Sequence, residues 1–99
     1  MDATLSYIQT IKNALKGSIE GSYDEEAGQN LKDELVFDDE RRRYLVITTG
    51  KDKGKTVFEV TTAIKLQEDG KILIEYCSTE DDFRTIFIDE GIPASDISF

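Results

Sequence analysis

Histidine and tryptophan are absent from this 99-residue chain, and cysteine, proline and methionine occur once each. Each absence excludes something. Without histidine the chain lacks the usual general base and the commonest metal ligand. A lone Cys77 permits neither an internal disulfide framework nor a multi-cysteine zinc site. A single proline argues against a long disordered segment. No apolar run approaches the roughly 20 residues of a membrane span. The N-terminal Met-Asp-Ala-Thr has no cationic stretch leading into an apolar core, so it does not read as a signal peptide. A soluble, cytoplasmic protein is the expectation.

Positive charge is also scarce. Twelve Lys and Arg stand against 21 Asp and Glu, for a formal net charge of −9. Non-specific nucleic-acid binding draws on cations that displace counterions, so direct DNA binding by this chain is not expected. The balance suits solubility and docking onto a partner. Hydrophobic content of 38%, with four Tyr and five Phe, supports one domain over residues 1–99 with a modest core.

What is present reads as an α-β-β-β-β-α order. Leu5, Ile8, Ile11 and Leu15 recur at helical spacing over residues 3–16, with Asp2 or Thr4 as cap and Gly17 as a stop, Ile19 extending one further turn. Residues 17–32 hold three glycines and Asp24-Glu25-Glu26, and read as a loop. Strands follow at 34–38 and 43–49. Between 57 and 67, Phe58, Val60, Thr62, Ile64 and Leu66 alternate with polar neighbours, which predicts one buried face. Asp69-Gly70 marks a turn into a fourth strand, Ile72–Cys77. Thr79-Glu-Asp-Asp82 resembles a capping box for a second helix with an apolar stripe of Phe83, Ile86 and Phe87. Gly91 and Pro93 end that helix. The fold class is α+β, with a four-stranded, mainly antiparallel sheet and two helices on one face.

The most conspicuous charge feature is the tip Asp38-Asp39-Glu40-Arg41-Arg42-Arg43, which holds every arginine of the chain except Arg84. Two readings stay open: a solvated turn with weakly paired charges, or a partner-docking knob whose arginines clamp a carboxylate or phosphate, the adjacent acids favouring a protein partner. Other groupings read as structural. Asp81, Asp82, Asp89 and Glu90 fit helix ends, and Glu25 and Glu26 lack calcium-loop spacing. Cys77 fits a small hydrophobe. Lys51, Lys53 and Lys55 lack the spacing of a phosphate loop, and the four tyrosines form no base-stacking pattern. Catalytic, cofactor and metal residues are therefore not expected.

Several strings in one order resemble the XisI family, the fdxN element excision controlling factors. They are Glu34-Leu-Val-Phe-Asp-x-Glu-Arg-x-x-Tyr44 with Gly50 after it, Asp69-Gly-Lys-Ile-x-Ile74, Thr79-Glu80, and Glu90-Gly-Ile-Pro-x-x-Asp-Ile97. The likeness covers residues about 5 to 97. The chain departs from the family pattern in three places. No Trp follows Gly50, no His stands near Thr62 or Ala63, and no Gly-Phe-His follows Phe99. The resemblance implies a non-enzymatic accessory protein that controls site-specific excision of a DNA element beside a XisH-like partner. The alternative is an antitoxin- or immunity-like inhibitor of a nuclease, suggested by the acid-rich 17–40 region. A homodimer is a further expectation, because an open sheet leaves edges and a face to cover.

Overall fold

The computed structural model describes residues 3–22 and 31–99. Its elements run α1 (Ala3–Ser22), β1 (Leu31–Asp38), β2 (Arg43–Asp52), β3 (Lys55–Leu66), β4 (Ile72–Cys77), α2 (Phe83–Asp89), a 3-10 turn (Ala94–Asp96) and β5 (Ile97–Ser98). The five strands form one sheet in sequence order. The first three pairings are antiparallel and the last is parallel.

Turn chemistry sets the registers. Asp38 pairs with Arg43 across four residues, and Arg42 takes the left-handed conformation at φ 56°. Asp52 pairs with Lys55 across Lys53 and Gly54, both at positive φ (52° and 80°). That is the two-residue turn whose twist matches a hairpin. Between β3 and β4 the Gly70 N–H donates to the Gln67 carbonyl at 2.9 Å, and Gly70 sits at φ 86°. A Cβ is strained there, so the Asp-Gly signal marks a turn closed by a glycine.

One sheet face carries the core. Tyr44, Val46, Ile64, Leu66, Ile72 and Ile74 meet Ile11 and Leu15 of α1 and Phe83 and Phe87 of α2, and Ile92 and Ile97 close the end. Both helices lie on this face, as the apolar stripes predict. The cap of α2 is Asp82, which accepts the Thr85 N–H at 3.1 Å and the Thr85 hydroxyl at 2.8 Å. At its other end Gly91 (φ 99°) donates to the Ile88 carbonyl and Ile92 to the Phe87 carbonyl. These two bonds are a Schellman motif, and buried Ile92 makes its apolar contact.

Four expectations need correction. The sheet has a fifth strand, because Ile97 and Ser98 pair with Ile72 and Leu73. A two-residue strand is too short to carry a periodic signal. Helix α1 continues through Gly17 to Ser22. Glycine lowers helix stability by only about 1 kcal/mol, and Ile19 packs on the core beyond it. Leu5, assigned to the buried stripe, is 73% exposed, as the core is reached only from Tyr7 onward. Phe58 and Val60 lie outside the core at 69% and 39% exposed, while Thr62, Ile64 and Leu66 are buried as expected.

A β-bulge explains that last difference. Val46 opposes Thr62, but the next residue, Ile47, opposes Val60, so Thr61 is an extra residue in β3. One inserted residue moves everything before it to the opposite face. Asp2, the proposed cap, and most of the glycine-rich loop with Glu25 and Glu26 lie outside the described residues.

Candidate functional site

The hairpin tip is locked in place by its own charges. The Asp38 carboxylate accepts the Arg41 backbone N–H at 3.0 Å and its guanidinium at 3.1 Å. Asp39 bridges two elements: it accepts Lys12 Nζ of α1 at 2.9 Å and the Tyr44 hydroxyl at 3.0 Å. Lys12 also lies over the Phe37 ring, 5.6 Å from its centroid. The Arg41 N–H holds the Asp38 carboxyl below its ordinary value, and Lys12, then Tyr44, do the same for Asp39. Burial, then the Asp39 hydrogen bond, pushes the Tyr44 phenol up to about 12. Arg43 Nη1 meets Glu75 Oε1 at 2.6 Å. Of the six tip residues, Glu40 and Arg42 make none of these side-chain pairs, and Arg42 uses its carbonyl to accept the Leu66 N–H.

The tip therefore reads mainly as a structured, solvated turn. It borders an open concavity of about 920 Å³ lined by residues 40–43 on one side and by Lys65, Gln67, Glu68 and Asp69 on the other. Glu40, Glu68 and Asp69 line it together with Arg41, Arg42, Arg43 and Lys65, so it presents no single-sign site for an anion.

The opposite sheet face is the one an open sheet leaves without helical cover. Directly opposed residues share a face. Leu45 opposes Val36 and Ala63, Ile47 opposes Val60, Thr49 opposes Phe58, and Ala63 opposes Tyr76. Tyr44 and Val46 point into the core, so this other set faces away from both helices. Val36, Phe58, Val60 and Tyr76 are all exposed, whereas Ile47 is 8% exposed and lies outside the core cluster. Large exposed apolar patches on small proteins mark interaction sites. The charged residues on this face are Lys32, Glu34, Asp38, Arg43, Lys51, Lys65 and Glu75. Its balance is thus basic in an acidic chain. A signal for it did exist: Leu35-Val36-Phe37 and Tyr44-Leu45-Val46-Ile47 are unbroken apolar runs, which in a hairpin make both faces apolar.

The remaining candidates are structural where they are described. Asp81 receives the Ser18 hydroxyl of α1 at 2.9 Å and the Thr79 hydroxyl at 2.8 Å, which ties the two helices together. Asp82 is the cap, held below its ordinary pKa first by the Thr85 N–H. Asp96 accepts the Tyr7 hydroxyl at 2.6 Å and pins the C-terminal turn to α1. Cys77 packs on the core beside Thr62. A cleft of about 360 Å³ between α1 and α2 is lined by Asn13, Ser18, Asp81 and Glu90, and Asp81 is already engaged there. Lys51, Lys53 and Lys55 surround the β2–β3 turn, and among the described residues no group of three acids or cysteines is placed to hold a metal.

The XisI protein family model matches residues 1–99. This chain belongs to the XisI family. The crystal structure of the fdxN element excision controlling factor XisI from Anabaena variabilis is 30% identical and superposes with a TM-score of 0.82. That likeness covers 99% of this chain and 91% of the other. A XisI-like protein of the same organism shares the fold at a TM-score of 0.85 and 19% identity, over 97% of this chain and 84% of that one. No curated protein sequence matches. No described helix is long and apolar enough to cross a membrane.

Proposed function

We propose that this XisI-family control factor is non-enzymatic and regulates site-specific excision of a DNA element in the cytoplasm by binding a XisH-like protein. The observation that carries the reading is the apolar sheet face that neither helix covers. Its charged residues are Lys32, Arg43, Lys51 and Lys65 against Glu34, Asp38 and Glu75, a small basic excess that fits a partner whose apolar patch is rimmed by carboxylates. The tip residues Asp38–Arg43 lie at the end of this face and offer Arg42 and Arg43 to the same partner. The net charge of −9 and the missing histidine support a role without DNA cleavage or unaided DNA binding.

Co-purification with a XisH-like protein tests the proposal. Tagged wild-type protein retains the partner, whereas Val36→Glu and Tyr76→Glu lose it, because each puts a charge into the apolar face that the partner would cover. Retention by both variants, or no binding by the wild type, overturns the reading. The acid-rich inhibitor alternative makes the opposite functional prediction. If the partner has nuclease activity that this protein suppresses, inhibition replaces excision control.

A further inference from the structure

β3 is twelve residues long, and β2 pairs with it from end to end. β4 does not: its pairing covers only Thr62–Leu66. Residues 55–60 therefore have one side with no strand beside them among the described residues. This segment and residues 50–54 make a two-stranded arm, and the molecule measures 48 × 26 × 21 Å. Isolated two-stranded hairpins are marginally stable in water. This one also exposes Phe58 and Val60.

The direction of the main-chain groups follows from the turn. Asp52–Lys55 closes a two-residue turn, in which the i carbonyl accepts the i+3 N–H, so Lys55 bonds toward β2. Alternate residues then point the other way. Thr56, Phe58 and Val60 thus aim their N–H and C=O groups at the open side. The same alternation holds beyond the bulge, where the Thr61 carbonyl accepts the Ser78 N–H and Gln67 donates to the Lys71 carbonyl, both on the β4 side. This is an open edge of the kind that accepts another strand.

We propose that this edge pairs with the same edge of a second copy, antiparallel about a two-fold axis at Val57. An antiparallel pair of identical strands is two-fold symmetric, as a closed dimer requires. With Val57 on the axis, Thr56 and Phe58 of one copy exchange main-chain bonds with Phe58 and Thr56 of the other. Lys55 then stands opposite Glu59, twice. Both pairs fall at non-hydrogen-bonded positions, where side chains are closest. Shifting the axis by one residue to Phe58 places Glu59 opposite Val57 and Lys55 opposite Thr61, and both charge pairs vanish. The charge pattern thus selects both the occupant and the register. The arm also stands apart from the acidic excess of the chain: residues 50–60 hold Lys51, Lys53 and Lys55 against Asp52 and Glu59. The dimer joins two apolar outer faces into one surface, although its formation does not depend on the partner proposed above.

The test is the mass of the full chain by light scattering and sedimentation over a range of concentrations. The expected species is a dimer, twice the 11.2 kDa chain mass. Thr56→Pro removes an N–H that β2 does not use, so it leaves the fold intact by circular dichroism and weakens dimerisation at least tenfold. Lys55→Glu weakens it through two Glu–Glu oppositions, and the swap Lys55→Glu with Glu59→Lys restores it. Val57→Cys in a Cys77→Ser background cross-links to its symmetry mate on mild oxidation, since Cα atoms at such a position lie about 4.5 Å apart. A monomer at every concentration overturns the proposal. So does a dimer insensitive to both Thr56→Pro and Lys55→Glu, because it must use another surface.

Discussion

One sheet has two apolar faces with opposite fates. The face built on Tyr44, Val46, Ile64 and Leu66 is sealed by α1 and α2, and its residues are nearly inaccessible to solvent. The other, built on Val36, Leu45, Ile47, Val60 and Tyr76, is covered by neither described helix. Composition does not separate them, since both are rich in Val, Ile, Leu and aromatics. What separates them is cover. The first face stabilises the monomer, whereas the second has apolar area left for association, and the lesson is that residue type alone does not assign an apolar strand position to core or interface.

Substitutions on the two faces break this comparison if they cost the same. Phe87→Ala, in the sealed core, is expected to destabilise the monomer by about 3–5 kcal/mol in denaturant unfolding. Gly91→Ala disturbs the same side of the molecule less. Its φ of 99° strains any Cβ, and a loss of about 1–2 kcal/mol is expected by the same measurement. Tyr44→Phe keeps the packing and removes the hydroxyl that reaches Asp39, at a cost of about 1 kcal/mol. On the open face, Phe58→Ala is expected to change monomer stability by less than about 0.5 kcal/mol. A core-sized loss there means the face is covered within the monomer, and the contrast fails.

Titration sharpens the comparison further, because every shifted group lies at the tip or on the helix side. Asp38, Asp39 and Asp82 have folded pKa values below their ordinary 3.8. Their contribution is present above the unfolded value and is lost as pH falls below 3.8 through the folded values. All three are well exposed, so the expected acid shift in Tm is small. Tyr44 has the opposite sign. Its phenol titrates near 12 when folded against 10.0 unfolded, so its contribution is complete below pH 10 and disappears between pH 10 and 12. Thermal melts of the wild type and Tyr44→Phe check this: the variant should lose less stability across that alkaline window.

Much of the fold was legible because its determinants are local. The register of the first hairpin follows from Asp38–Arg43, the stop of α2 from Gly91-Ile92-Pro93, and the β3–β4 turn from Asp69-Gly70. The family strings coincide with these same turns and caps, which explains why they identify the fold better than a mechanism. The candidate site was legible only in part. The charged tip was visible as a string, but its locking by Lys12 joins residues 27 positions apart. An uncovered outer face was expected of an open sheet, but its residues were not legible, because the unbroken alternation from Phe58 to Leu66 suggests a single buried side.

The order of the two helices and the first four strands, the antiparallel hairpins and the acidic balance were all readable from sequence, since each rests on neighbours a few residues apart or on a sum over the chain. Tertiary structure decided three things. Gly17 stays helical because Ile19 beyond it packs on the core. Ile97 becomes a strand because Ile72 lies beside it. Phe58 and Val60 face outward because one extra residue, Thr61, enters the ladder opposite β2. Side chains in a strand alternate with a period of two, so a single inserted residue reverses every face before it, and only pairing with a second strand reveals the insertion.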